Sequence, residues 1–166
     1  MIRMNDSPEY AMDEFVPERD LHSEAHRRTF RKILTACEEF LEVFRVDYDK
    51  HVASGIYTGL PEECRDAWLS YNRDDQSVRL STRFRNVRLT SDVQLLMLFR
   101  LQASAGLVRF HVDETRNHLI LEAVSICPDP DGARAVVEPM SESLRRVLQD
   151  DRLGVALQAR QASVPG

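Results

Sequence analysis

No run of about eighteen apolar residues occurs anywhere in this chain, so no segment is expected to span a bilayer as a helix. The first twenty residues carry only Arg3 and Arg19 among several acids and hold no continuous apolar core, which is not the pattern of a secretory signal. Glycine is scarce and scattered: Gly55, Gly59, Gly106, Gly132, Gly154 and Gly166 stand too far apart for a loop that cradles phosphate with closely spaced backbone N–H groups. No G-x-S-x-G surrounds any serine, so serine hydrolase chemistry has no support. The three cysteines, Cys37, Cys64 and Cys127, are odd in number and widely separated, which excludes a disulfide scaffold and the short ligand spacing of a zinc site. Reduced thiols in a cytoplasmic protein are the expectation. A surplus of positive charge is also lacking. The formal net charge of −5 gives no electrostatic reason for binding along a nucleic-acid backbone or an anionic membrane.

With 166 residues the chain suits one domain large enough to bury a core without staples. The expected organisation is a flexible acidic arm over 1–20, a single α+β domain over 21–157 and a disordered tail over 158–166.

The chain is organised around Thr90–Ser104, read as a helix that Ser91 or Thr90 can cap and that Gly106 can close in a left-handed conformation. At 3.6 residues per turn its apolar side chains fall into two stripes. Leu95, Leu96, Phe99 and Ala103 make one; Val93, Met97 and Leu101, with Leu98 between the two, make the other. A helix apolar nearly all round is buried on both sides. The first stripe is therefore expected on the chain's own sheet and the second against another molecule.

Before it, Ser23–Arg45 reads as an amphipathic helix, because Phe30, Ile33, Leu34, Cys37, Phe40, Leu41 and Phe44 recur at helical spacing. Cys37 lies on its apolar face as a structural thiol. Asp47–Glu63 reads as a long connection. Pro61-Glu62-Glu63 resembles a helix start, with Cys64, Ala67, Trp68 and Tyr71 at helical spacing, and a strand over Ala67–Asn72 competes with it. The strand is favoured because Arg73–Gln76 reads as a turn into the alternating Ser77–Phe84, with Tyr71 opposite Val78 and Leu69 opposite Leu80. Ser77, Arg79, Ser81 and Arg83 form the outer face of that strand, with Arg85 and Arg88 just after it. Leu107–Asp113 and His118–Ile126 make the clearest hairpin. Val112 opposite Leu119, Phe110 opposite Leu121 and Val108 opposite Ala123 unite apolar residues, while Arg109 meets Glu122 and Asp113 meets His118 on the other face. A last helical segment carries Ala133, Val136, Val137, Met140, Leu144, Val147 and Leu148. Pro139 either kinks this helix or starts a second.

Chemistry-bearing residues are sparse. His111, Asp113 and His118 share a sheet face, but no third strong ligand accompanies them, and polar residues on a wet face account for them. Asp129–Glu138 imitates a calcium loop, with Cys127 where the first carboxylate belongs and Pro130 distorting the middle, so it is rejected. The pairs Asp74-Asp75, Glu62-Glu63 and Asp150-Asp151 sit among turn and polar residues rather than in the apolar pocket that general acid–base work requires. No catalytic residue, metal or cofactor is assigned. Charged outward residues on a solvated sheet face account for the basic stripe; Arg79, Arg83 and Arg85 are its candidate partner-binding residues, joined by Arg88 in the nucleic-acid reading. Nucleic acid is its alternative partner, weakened by the absence of interleaved aromatics, and a small metal-dependent hydrolase is less favoured still.

The order helix, strands, helix, hairpin, helix, with Trp68-Leu69-Ser70-Tyr71 to Phe84, Leu95–Leu101 and Gly106–Asp113 to Leu119–Ala123, resembles the type III secretion chaperone-like superfamily. That group includes the YbjN-type proposed sensory transduction regulators. The match covers about Phe30 to Leu148. Arg100–Ser104 lacks the asparagine usual in the last turn of the central helix, and Asp47–Glu63 and Pro139 also depart from the pattern. The resemblance implies an antiparallel sheet with helices packed on it, in the order α-β-β(-β)-α-β-β-α, in a cytoplasmic, non-catalytic homodimer that binds a client or regulatory polypeptide. It also implies a dimer interface along the central helix, which would give Val93, Met97, Leu98 and Leu101 their second partner.

Overall fold

The computed structural model describes residues 18–60, 66–85, 87, 89, 91–113 and 117–162, with side chains described between 23 and 157. The elements run α1 (Glu18–Cys37), β1 (Leu41–Asp47), β2 (Val52–Tyr57), β3 (Asp66–Asn72), β4 (Ser77–Phe84), α2 (Asp92–Ala103), β5 (Val108–Asp113), β6 (His118–Ile126), a 3-10 turn (Pro130–Gly132), α3 (Ala133–Leu148) and α4 (Asp151–Ala162). The strands form one antiparallel sheet in the order β1-β2-β3-β4-β6-β5, which makes this an α+β fold. The expected registers hold where the sequence alternates: Tyr71 faces Val78 and Leu69 faces Leu80, and all five pairings expected between β5 and β6 are present.

One face of the sheet is the core. Leu69, Val78, Leu80, Val108, Leu119, Leu121 and Ala123 are essentially without solvent contact. α3 crosses β4, β5 and β6, and α1 packs beside α3, delivering Phe30, Ile33 and Cys37 into the same interior. Burial pushes the Cys37 thiol up to about 12, so it stays protonated and inert. α3 passes through Pro139 as one helix and buries Val137, Met140 and Leu144. No helix among the described residues is long and apolar enough to cross a membrane.

Three expectations fail. α1 stops at Cys37, where Phe40 N–H donates to the Cys37 carbonyl, and Leu41–Asp47 is an edge strand rather than the end of the helix. Leu41, Val43 and Val46 point at the core with a bulge between Val43 and Arg45, a spacing that imitates helical recurrence over a few residues. Phe44, at the bulge, lies on the surface instead of on the helix's apolar face. Likewise Asp47–Glu63 is no simple loop, because Val52–Tyr57 pairs with β1 and β3. Finally, helical backbone continues to Ala162, past Leu157, where the domain was expected to end. The helix start considered at Pro61–Glu63, the side chains Cys64 and Arg88, and residues 1–17 and 163–166 lie outside the described residues.

Candidate protein-binding surface

α2 begins with a capping box. The Ser91 hydroxyl accepts from Gln94 N–H at 3.1 Å and the side-chain Oε1 of Gln94 accepts from Ser91 N–H at 3.2 Å, satisfying two donors that the first turn would leave open. The Gln94 amide then donates to the Ala156 carbonyl at 3.0 Å, so a buried polar side chain ties α2 to α4. At the other end the Gln102 amide donates to Val108 O and accepts from Phe110 N–H, both at 2.8 Å, standing where a seventh strand would pair with β5. Gly106 closes the segment at φ +61, in the left-handed region it was expected to occupy. The last turn of α2 has no asparagine, and Gln102 provides the side-chain amide there.

These two glutamines fix the helix's rotation, and the result reverses the expected faces. Leu101 is 1% exposed and Leu98 7%, and Met97 packs partly buried against the same core, so the stripe assigned to another molecule faces the chain's own interior. Only Val93 of that set is open, at 62%. The stripe assigned to the sheet faces solvent instead: Phe99 is 73% exposed, Leu96 50% and Leu95 40%. Periodicity could not choose between two apolar stripes. The choice rests with the buried Gln94 and the strand-bound Gln102, polar residues that an apolar count ignores. Leu107 and Val155, on segments attached to α2 and α4, are large exposed apolar residues as well.

The outer face of the sheet carries the arginine stripe, largely engaged. Arg79 lies 3.4 Å from Glu122, and the same carboxylate oxygen lies 3.6 Å from His111 Nε2. Arg83 stacks its guanidinium 5.2 Å from the centre of the Trp68 ring. Arg85 is exposed. Trp68 is the residue that the sequence reading missed on this surface: it lies on β3, with Ser81 of β4 opposite, so only the sheet register brings it beside Arg83. His111 is drawn to Glu122 and is not gathered with Asp113 and His118 into a ligand set. Among the described residues no group of three His, Cys, Asp or Glu side chains is placed to hold a metal ion. The carboxylate of Asp129, from the rejected calcium loop, accepts from Gly132 N–H at 2.9 Å and caps the 3-10 turn.

No protein-family model matches the sequence, and no curated protein does. Solved structures do match. YbjN from E. coli, a proposed transcription regulator, superimposes with a TM-score of 0.53 over 80% of this chain and 91% of its own, at 17% identity. The fold is that of YbjN. The resemblance read from the sequence is thus carried by the three-dimensional arrangement, although identity this low speaks for the fold and not for what the chain does. The ExsC–ExsE complex matches more loosely, with a TM-score of 0.44 at 16% identity, covering 84% of this chain and 96% of that one; a superposition that loose bears no argument.

Proposed function

We propose that this chain is a cytoplasmic, non-enzymatic protein-binding domain of chaperone-like or regulatory-adaptor type, which dimerises through the outer stripe of α2. The observation that carries the reading is the row Leu95, Leu96 and Phe99 with Val93: four large apolar side chains on one short helix, all facing solvent while the amides of the buried Gln94 and the half-buried Gln102 hold its two ends. An apolar patch so placed and so rigid is a marker of association. Stable dimers cover roughly 800 Å² per partner, more than one three-turn helix presents, so Leu107 and Val155 are counted in the same contact. The YbjN-like fold supports the reading at the level of architecture. The Cys37 thiol, buried and held protonated, acts as a packing group in the core.

Light scattering across a tenfold dilution tests it. The wild-type chain is expected to keep a dimer mass, and the Leu96→Glu/Phe99→Glu variant to give a folded monomer with an unchanged far-ultraviolet spectrum. A wild-type monomer throughout, or a dimer that survives the double substitution, sinks the proposal. Leu101→Glu distinguishes the two stripes, since it places a carboxylate in the core and is expected to unfold the chain rather than release a monomer.

A further inference from the structure

Two of the clefts on the described surface differ in how their charges are used. The first, about 470 Å³ between the end of α1 and the start of α3, sets Glu38, Glu39 and Asp131 against Lys32 and Arg134, and Arg134 is already shared between Glu39 and Glu138. The second, about 420 Å³, lies between the β1–β2 turn and the far end of β3, and Lys50, Arg73 and Arg79 stand on its wall with the hydroxyl of Ser70 and the amide of Asn72.

Around this second cleft the acids are consumed by local structure. Asp47 accepts from the N–H groups of Asp49 and Lys50, each at 3.0 Å, and Asp75 accepts from Ser77 N–H. Asp49, on the cleft wall, is held at 2.6 Å by Arg27 of α1. Lys50 and Arg73, by contrast, enter no ion pair among the described residues, and Asp74 is the one lining carboxylate left against them. The imbalance is felt by the buried His51 at the base. Burial holds its imidazole below the ordinary range, and the charges of His26, Arg73 and Arg27 push in the same direction, with only Asp49 opposing.

The cleft does not end blindly. Arg79 leads from its wall along the outer face of β4 to Arg83, which rests on Trp68. Same-face residues of an extended chain recur about every 6.8 Å, so one strand-like segment can set carboxylates at successive same-face positions on Lys50, Arg73 and Arg79 and, further along that same face, an apolar side chain on Trp68. We propose that this cleft binds the carboxylates of an extended acidic segment of a partner protein, with Lys50 and Arg73 as the anchoring cations and Trp68 as the apolar end of the track. The proposal deepens the protein-binding reading and rests on it, but uses a surface separate from the α2 stripe. A nucleic acid fits less well, because among the described residues of the track Trp68 is a lone ring, not the series of aromatics on which successive bases stack.

The test uses the full chain and a heptapeptide with glutamate at its first, third and fifth positions, leucine at its seventh and serine between them, so that acids and leucine share one face of the strand; it is read by the fluorescence of Trp68, the chain's one tryptophan. At low ionic strength the peptide is expected to bind, to change the emission of Trp68, and to raise the titration midpoint of His51 as seen by imidazole NMR. Lys50→Glu and Arg73→Glu are each expected to weaken binding about tenfold, and the same peptide with lysine in place of each glutamate is expected not to bind. Several outcomes overturn the proposal: equal binding of the lysine peptide, tighter binding of single-stranded DNA, full competition by inorganic phosphate, or an affinity indifferent to both reversals. If the peptide binds but the charge reversals leave it unchanged, the cleft assignment fails while the protein-binding reading stands. If neither peptide binds and the α2 variant leaves the mass unaltered, both fail.

Discussion

The two hairpins at opposite edges of the sheet are built on different principles. β5–β6 keeps its register in its own alternation, with apolar pairs on the core face and Arg109–Glu122 and Asp113–His118 on the other, and its outer edge is covered by the Gln102 side chain. β1–β2 keeps little of its register locally. It needs a bulge beside Val43, a glycine at 55 where the β1 backbone passes, and a turn whose His51 adopts φ +54 while its ring packs between Phe30 and Tyr71. One edge is specified by neighbours in sequence and the other by neighbours in space, chiefly α1.

Three measurements sharpen or break that contrast. The largest effect is expected at Gly55. A Cβ there would overlap the carbonyl of Glu42, a backbone group with no room to yield, so Gly55→Ala should cost about 3 kcal/mol in a urea titration. A loss below about 0.5 kcal/mol would show that β1 is not held as closely as described. Next comes Gln102→Ala, which strips the partners from Val108 O and Phe110 N–H. The expected cost is about 1 kcal/mol, together with concentration-dependent self-association through the bared edge of β5. Sedimentation that shows no growth in mass would mean the edge is protected by something else.

The smallest effect concerns His51. Its imidazole is held below the ordinary 6.5, first by burial and then by the charges of His26, Arg73 and Arg27. The unfolded chain therefore takes up the proton before the folded one does. Stability tied to His51 is present in full above about pH 6.5 and declines as the pH falls through and below that value. Asparagine tolerates a positive φ, so His51→Asn should flatten the fall in urea midpoint between neutral and mildly acidic pH. An identical pH slope in the variant would remove His51 from the account.

How much of this was legible follows the same division. The β3–β4 and β5–β6 registers, the Ser91 cap, Gly106, the buried Cys37 and the core positions of α3 could be read because each is a local pattern with one solution. β1 and β2 could not, because Leu41, Val43, Val46 and a glycine-bearing run mean a strand only once α1 and β3 are in place to pair and pack with them. The candidate surface was half legible. That α2 has a side for the core and a side for something else could be read from its two stripes; which was which depended on where the amides of Gln94 and Gln102 found partners, at Ala156 in a distant helix and at Val108 in the strand beyond the end of α2. Trp68 joined Arg83 by cross-strand placement, and the Lys50–Arg73 cleft joins two turns more than twenty residues apart, so neither leaves a mark on periodicity.

The Gln94 side chain has a mechanical consequence. One amide closes the first turn of α2 with its oxygen and grips the backbone of α4 with its nitrogen. The opening of one helix therefore releases the other, and the pair behaves as a single hinged plate rather than as two rods. In the proposed dimer, whatever settles on the outer stripe of α2 bears on this plate as a whole. α4 is engaged there twice, through Val155 on its surface and through the Ala156 carbonyl held by the Gln94 amide.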